Sequence, residues 1–363
     1  MLEKGRLYWW QLQWLLFNTV FPTAVMFVSA ITAQVARQDA WIAILLFATV
    51  FGLVAGLVCY YLGIRFPRLN LVQYVDLLVG KAAGKVISCA YIIFFLWINA
   101  AIIREFSSFL ATAFMPETPE LVFTATIMLL SAYMVRNGLE VMASVNQLLV
   151  SVMLFVFASI TLLSVNDMDF GRLLPVLEKG WLPVLKASLT PGYWRTEVAV
   201  MLMLLPYLKE PREGKRAVVR AVLILGFLVT VDVISNLAIF GPELTANSTF
   251  PTLNQIRYIS LARFLDRIEA VVMILWVAGI LIKVGVFYYV AVLALAQLFQ
   301  LEDYKPVVLP VGFLLALLSD VLFTGSQDLK EFIIKPLAVM AYTFHLAIPL
   351  FLLLVAAVRR VGQ

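Results

Sequence analysis

Six ionisable side chains interrupt otherwise apolar stretches of this 363-residue chain, and they are its most informative chemical groups. A charge at the centre of a membrane helix costs about 2.5–3.5 kcal/mol on insertion scales, so each one requires a partner or water. A lysine and a carboxylate at that depth can neutralise each other, or they can hold the carboxylate and the ammonium of a small zwitterion. The six residues are Arg104, Glu105, Arg195, Glu197, Asp232 and Lys283.

Lys283 has the least freedom among these residues, because no other charge occurs between Trp276 and Leu295. We expect it to face a central cavity, and the alternative is a structural ion pair with Asp232 or Glu197. For Arg104 and Arg195 we expect the long aliphatic side chains to carry the charge to the outer membrane interface.

Two proline-containing segments break the apolar runs at matching places in the two halves of the chain. The first is Asn18-Thr19-Val20-Phe21-Pro22-Thr23, and the second is Thr190-Pro191-Gly192-Tyr193-Trp194-Arg195-Thr196-Glu197. Proline removes a helical hydrogen bond, and interrupted spans at corresponding positions indicate the binding site of an inverted-repeat transporter. The alternative is a pair of ordinary proline kinks.

The composition predicts a membrane protein, since 63% of the residues are hydrophobic and only 13% are charged. A soluble domain has about 25% charged residues, so a water-soluble enzyme is excluded. Runs long enough for a bilayer predict an all-α membrane protein with ten transmembrane helices, in a single transmembrane domain over 1–363. Its two halves are about 11–164 and 188–358. The ten spans are roughly 11–35, 40–63, 84–113, 121–136, 140–164, 188–208, 217–241, 264–298, 306–324 and 333–358.

Orientation follows from the basic residues in the loops. The two densest clusters, at 65–85 and 209–220, fall on the side of the N-terminus, so we expect both termini in the cytoplasm. The outer loops at about 165–187 and 242–263 are long, and the spacing of apolar residues over 252–264 predicts a short amphipathic helix on the outer surface.

Other sites are less well supported. On the third span, Tyr91, Phe94, Phe95, Ile98, Asn99 and Ile102 repeat at helical spacing, which fits a cavity wall or ordinary helix packing. Two cysteines and one histidine give no metal centre, and no phosphate loop or dinucleotide motif is present, so we expect no enzyme and no cofactor. A basic domain outside the membrane is also lacking, so nucleic acid is not an expected partner.

Several short motifs, in their order and spacing, resemble the endospore germination permeases, the B subunits of spore germinant receptors. The match continues through Leu205-Pro206 and Phe250-Pro251-Thr252 and so extends over nearly the whole chain. The motifs that carry it are Asp39-Ala40-Trp41, Arg65-Phe66-Pro67, Val79-Gly80-Lys81, Glu117-Thr118-Pro119 and Leu173-Leu174-Pro175-Val176-Leu177.

The resemblance implies membership of the amino acid–polyamine–organocation superfamily, with a LeuT-type fold of five plus five inverted-repeat helices and breaks in helices 1 and 6. It implies a place in the lipid bilayer of the spore inner membrane, A-type and C-type receptor subunits as partners, and a small-molecule germinant, such as an amino acid, as ligand. Two alternatives remain: a stand-alone sodium-independent amino-acid permease, and a ligand-gated water or ion channel.

The resemblance also implies a germinant pocket between spans 1, 3, 6 and 8. Lys283 would receive a carboxylate and Glu197 an ammonium, or Lys283 would replace the sodium ion of coupled relatives. The chain departs from those relatives in span 1, where Pro22-Thr23-Ala24 stands in place of glycines, so a carboxylate must be held differently or the ligand is not an amino acid. The implied pocket residues are Asn18, Pro22, Thr23, Phe94, Ile98, Asn99, Glu197, Lys283 and Phe287.

Overall fold

The computed structural model describes four stretches of the chain, residues 2–3, 5–258, 268–323 and 325–361. Within these stretches the chain is helical apart from turns and an isolated β-bridge between Leu7 and Leu208. The prediction of an all-α membrane protein is confirmed, because six helical stretches are long and apolar enough to cross a bilayer. The count of ten spans stays a prediction. The six stretches are Trp9–Gly63, Lys81–Ala113, Leu139–Asp167, Pro211–Asn247, Glu269–Leu298 and Glu331–Arg359.

The first span consists of two helices, α1 over Trp9–Asn18 and α2 over Phe21–Ala36. The break between them lies within the predicted segment, and Pro22 explains it. Proline has no N–H group, so the carbonyl of Asn18 loses its usual donor four residues later. The proline ring is accommodated in the first turn of α2, where an N–H group would have no partner in any case. The predicted break in span 1 is confirmed.

The chain reverses direction at Arg37, whose φ of 52° ends α2. After a 3₁₀ turn, helix α3 returns through the bundle in three consecutive parts, and its middle part has π-helical hydrogen bonding. Since one helix of 55 residues is far longer than a bilayer is thick, the reversal at Arg37 divides this stretch into two passes. The parts of α3 are Ala40–Ile42, Ala43–Ala48 and Thr49–Gly63.

Single glycines connect the next four helices in two pairs. Gly80 and Gly138 have φ values of 88° and 89°, a backbone conformation that residues with a Cβ atom rarely adopt. Each glycine therefore ends one helix and begins the next within one residue. The four helices are α4 (Leu71–Val79), α5 (Lys81–Ala113), α6 (Glu120–Asn137) and α7 (Leu139–Ser164).

The break in the sixth span begins at the last residue of the predicted segment. Pro191 lies in the first turn of the helix that begins at Leu189, and the preceding helix ends at Ala187, the residue four positions before the proline, whose carbonyl loses its usual donor. The helix departs from α geometry only at Glu197, the last residue of the predicted segment. The parts of this span are α8 (Trp181–Ala187), α9 (Leu189–Thr196), a 3₁₀ segment Glu197–Val200, a helical turn Met201–Leu204 and a second 3₁₀ segment Leu205–Tyr207.

The second half continues with α10 over Gly214–Asn247, which bends at Gly241 and resumes because Pro242 opens a new helical turn. The loop predicted over 242–263 therefore begins with about one and a half turns of helix. The amphipathic helix predicted over 252–264 is present as α11 over Pro251–Tyr258, and its remaining residues lie outside the described part of the chain. The last helices are α12 (Ile268–Leu298), α13 (Lys305–Val321), α14 (Ser326–Ile334) and α15, which comprises Pro336–Tyr342, Thr343–Ala347 and Ile348–Arg359.

The interior of the helical bundle and its outer surface are both largely apolar. α10 packs on α1 and α2, and α12 packs on α5, while Leu129, Phe155 and Val358 point out of the bundle. Hydrocarbon tails solvate such residues as well as a protein core does, so this is the surface expected of a membrane protein.

The two ends of the bundle differ. We call the end that contains Leu7, Leu208 and Val361 the terminal face, and the end that contains 37–39 and 165–187 the opposite face. On the terminal face the N–H of Leu7 donates to Tyr207 O over 2.8 Å, and the N–H of Lys209 donates to Leu7 O over 2.9 Å.

Candidate functional site

Three of the predicted site residues meet in the middle of the bundle. Lys283 Nζ lies 2.9 Å from Glu197 Oε2, and the two side chains are 1% and 2% exposed. Lys283 Nζ also donates a hydrogen bond to Thr23 Oγ1 over 2.9 Å. Spans 1, 6 and 8 are therefore joined by one buried ammonium group. Although Glu197 Oε2 takes part in the ion pair, it receives no hydrogen bond of good geometry from the described residues.

The structure shows which of the two candidate carboxylates neutralises Lys283. Asp232, the other candidate, is held by hydroxyl groups instead: Ser29 Oγ donates to Asp232 Oδ2 over 2.9 Å. Thr252 Oγ1 lies 2.8 Å from Asp232 Oδ1, so α2, α10 and α11 meet at this carboxylate. Glu197 is the partner of Lys283, and Asp232 forms a separate polar cluster.

Asn18 and Pro22 contact the eighth span one turn before Lys283. Asn18 Nδ2 donates to Gly279 O over 3.0 Å, which leaves its Oδ1 buried and without a partner among the described residues. A Cβ atom on Gly279 would lie 2.9 Å from Pro22 Cγ, closer than Cβ atoms come in proteins. Gly279 therefore allows the close approach of spans 1 and 8. Gly279 was not predicted from the sequence, because its role depends on a contact with a distant span.

The predicted residues on span 3 pack around the site, and among the described residues they form no hydrogen bond with Lys283 or Glu197. Asn99 Nδ2 donates to Val284 O over 3.2 Å and so fixes α5 to α12 beside Lys283. Phe94 stacks on Phe344 with the ring centroids 4.5 Å apart. Ile98 and Phe287 are completely buried in the core. In this structure these side chains pack against neighbouring helices, and their place in a ligand pocket stays a prediction.

His345 is a site residue that the sequence analysis missed. Its Nδ1 lies 3.1 Å from Thr196 Oγ1, the residue just before Glu197, and its ring packs edge-on against Phe94. The histidine lies in the π-helical part of α15, so span 10 contacts span 6 at the start of its break. The lone histidine in the sequence carried no spacing signal that could have indicated this contact.

The two arginines behave differently from each other. Arg104 is 12% exposed and reaches Glu120 and Asp320 near the opposite face, over 2.9 and 3.3 Å, as expected. For Arg195 the expectation of an interface position is wrong. It is 2% exposed, and its Nε and Nη2 atoms have no partner among the described residues, because α9 is buried inside the bundle from Pro191 to Thr196.

A cavity of about 320 Å³ lies between the ion pair and the opposite face. Aromatic side chains from four segments line it, and Glu105 is the charged residue among the described residues of its wall. This size falls at the lower end of the range for small-molecule sites. We call it the outer cavity and define it by Phe27, Glu105, Phe109, Trp194 and Phe250.

The family model described as spore germination protein matches residues 6–327, which is nearly the whole chain. The chain belongs to the spore germination protein family. The resemblance given by its short motifs is thereby confirmed, and the protein is a multi-pass membrane protein of a permease family rather than an enzyme.

Curated relatives in the spore germination protein family cover the chain almost end to end. Spore germination protein KB of Bacillus subtilis (strain 168) is 32% identical over 333 residues, 89% of this chain and 88% of that protein. Spore germination protein YndE of the same organism is 24% identical over 340 residues, 92% of this chain and 91% of that protein.

Solved transporter structures share the fold of this family member. MhsT in complex with L-phenylalanine aligns with a TM-score of 0.68 at 12% identity, covering 95% of this chain and 88% of that chain. A Na⁺-coupled sialic acid symporter in a substrate-bound outward-open state aligns with a TM-score of 0.67 at 12% identity, covering 94% and 79%. At this identity the comparison establishes the LeuT-type transporter fold, which confirms the predicted fold class.

Proposed function

We propose that this chain is the B-type subunit of a spore germinant receptor and that it binds a small zwitterionic germinant, such as an amino acid, between spans 1, 6 and 8. The observation that carries the proposal is the buried ion pair of Lys283 and Glu197 with Thr23 beside it. In this proposal the protein acts in the spore inner membrane with A-type and C-type subunits, and its terminal face points to the cytoplasm.

A zwitterionic ligand can bind between Lys283 and Glu197 and still leave each of these two charges with an opposite partner. Its carboxylate would pair with Lys283 and its ammonium with Glu197, so each buried charge keeps a partner while the two side chains separate. A ligand with a single charge would leave one of them buried and unpaired, at a cost of several kcal/mol. Exchange of this kind therefore selects amino acids over simple amines and simple carboxylates.

The local structure around the pair supports such an exchange. Glu197 begins a 3₁₀ segment and its Oε2 is paired with the Lys283 ammonium, so a ligand ammonium would take the place of Lys283 at that oxygen. Asn18 Oδ1 is a second buried acceptor, and it has no described partner. We propose that these two oxygens receive the ammonium hydrogens, while the N–H groups near Thr23 and the Lys283 ammonium hold the carboxylate.

The other implied pocket residues have supporting roles in this proposal. Pro22 and Asn99 fix spans 1 and 3 against span 8, and the apolar side chain of the ligand would pack against Phe94, Ile98 and Phe287. Binding becomes a signal only if the ligand prefers one of two conformations. We propose that the basic segment 209–220 on the terminal face and α11 on the opposite face transmit that preference to the partner subunits.

The transporter fold favours one other function, a sodium-independent amino-acid permease that works alone. In that case Lys283, which contacts both span 1 and span 6, would supply the fixed positive charge that a bound sodium ion supplies in coupled transporters. Uptake of radiolabelled amino acids by liposomes that contain only this chain would favour the permease, whereas current without stoichiometric uptake would favour a channel.

Thermal unfolding of the purified chain, with and without each of the common amino acids, tests the proposed site. A ligand stabilises the state that it binds, and a ligand concentration of about 100 times the Kd adds about 2.7 kcal/mol to the free energy of unfolding. We expect at least one amino acid to raise the midpoint for the natural chain and for the surface control Arg37→Met, which removes an exposed ion pair with Glu243.

The variants then assign the two charges. Lys283→Met must lose the amino-acid effect, while Glu197→Gln must lose it and gain stabilisation by propionate, since its lysine is then unpaired. Amino acids that stabilise Lys283→Met and Glu197→Gln as strongly as the natural chain would contradict the proposed site.

A further inference from the structure

Glu105 is a charged group at membrane depth that the ion pair does not use. It lies on α5, six residues after Asn99, which places it about 9 Å closer to the opposite face along the helix axis. Among the described residues it has no hydrogen-bond or ion-pair partner. Its neighbour Arg104 is occupied by Glu120 and Asp320, and Lys283, the cation further inside, is paired with Glu197.

Four aromatic side chains form part of the wall of the outer cavity. Phe27 packs on Phe250 with the ring centroids 5.5 Å apart, and Phe250 packs on Phe109 at 5.0 Å, so three rings from α2, α5 and the segment before α11 form one continuous surface. Trp194 on α9 is the fourth aromatic residue of the wall, which also contains aliphatic and uncharged polar side chains. Phe109 follows Glu105 by four residues on α5, so both side chains point to the same side of that helix.

A carboxylate within aromatic walls is suited to one class of ligand. The faces of aromatic rings attract cations, and each such contact contributes about 0.5–2 kcal/mol depending on its exposure to water. An anionic ligand would face Glu105 with no described basic residue in the cavity wall to compensate it. The volume of about 320 Å³ accommodates a primary amine with a short alkyl chain.

We infer that the outer cavity is a binding site for organic ammonium ions, in which Glu105 pairs with the ammonium group and the aromatic rings cover the alkyl chain. The inference stands on the cavity alone. Only one extension rests on the proposed function, namely that the ammonium end of a germinant binds here before it reaches Glu197.

n-Propylammonium chloride is a suitable probe, with sodium propionate and 1-propanol as the anionic and neutral counterparts at matched ionic strength. We expect n-propylammonium alone to raise the unfolding midpoint of the purified chain. Glu105→Gln, which keeps the size of the side chain, must weaken that binding at least tenfold. The control Glu117→Gln, which changes a carboxylate in the α5–α6 turn outside the cavity, must leave it unchanged.

Equal stabilisation of the natural chain and Glu105→Gln by n-propylammonium would overturn the inference, and so would equal stabilisation by propionate. The Glu197→Gln variant separates this test from that of the proposed function. An amine effect that persists in Glu197→Gln supports the outer cavity, and one that disappears assigns the amine to the inner ion pair and overturns the inference.

Tryptophan emission provides a measurement that does not require Glu105→Gln to fold. Since Trp194 lines the cavity, n-propylammonium must change the emission of the natural chain and must leave that of Trp194→Phe unchanged. An identical change in both chains would contradict binding in the outer cavity.

Discussion

The side chain of Asn18 donates to the carbonyl oxygen of Gly279 over 3.0 Å, and this bond joins the broken first span to the eighth span one turn before Lys283. The position of the lysine is therefore set by the contact between two helices and not by its own helix alone. The same region contains the close approach of Pro22 to Gly279.

Gly279→Ala should disturb the site without changing any charge. The added Cβ would lie 2.9 Å from Pro22 Cγ, so spans 1 and 8 must move apart, at a cost of about 1–3 kcal/mol for overpacking. We expect a lower unfolding midpoint and a weaker response to amino acids. Gly325→Ala is the matched control, because nothing lies within 4 Å of its added Cβ. Equal midpoints for the two variants would contradict this account.

Lys283→Met should destabilise the chain by about 3–5 kcal/mol, because it leaves Glu197 buried without a counter-charge. The double variant Lys283→Met with Glu197→Gln should recover most of this loss, since it removes both charges. Denaturant or thermal unfolding in detergent measures the three free energies. A double variant less stable than the single variant would refute the pairing. In spores, Lys283→Met with normal protein levels should abolish the germinant response.

Thr252→Val should loosen α11 from the bundle. The substitution keeps the shape of the side chain but removes the hydroxyl that lies 2.8 Å from Asp232 Oδ1, and leaving that buried oxygen unsatisfied costs about 1–3 kcal/mol. We expect faster hydrogen exchange over 251–258. The control Asn254→Ala changes a residue of α11 that donates an exposed hydrogen bond to Ser248, just before the helix, and it should have little effect on exchange. Unchanged exchange in Thr252→Val would mean that Asp232 does not hold α11.

Gly80→Ala isolates the cost of backbone conformation. No atom lies within 4 Å of the added Cβ, so only the φ of 88° opposes the substitution. With ψ at 158°, this conformation is essentially confined to glycine and costs a residue with a Cβ about 1–3 kcal/mol. The free energy of unfolding should fall by that amount while the amino-acid effect persists. Stability equal to that of the natural chain would mean that α4 and α5 can be joined in another way.

The sequence was sufficient to predict the groups at the centre of the site. Lys283 and Glu197 stood out because the surrounding residues are apolar, and the cost of burying a charge is a property of composition that requires no coordinates. The break at Pro22 was equally clear, because proline affects the backbone directly wherever it occurs inside a span.

Other features depended on contacts between distant parts of the chain. The break in span 6 was predicted as a segment around Pro191, but the helix from Leu189 continues past that proline and leaves α geometry at Glu197. Gly279 acquires its role from Pro22, and His345 from Thr196, each more than a hundred residues away. Residue type and spacing within one span could not indicate such pairs.

The backbone of Leu7 is hydrogen-bonded on both sides, to Tyr207 and to Lys209. The segment before α1 is thus hydrogen-bonded to the segment that follows the sixth span. The parts of spans 1 and 6 nearest the terminal face therefore cannot separate unless both hydrogen bonds break. Opening toward this end would have to carry the two portions together as a single piece.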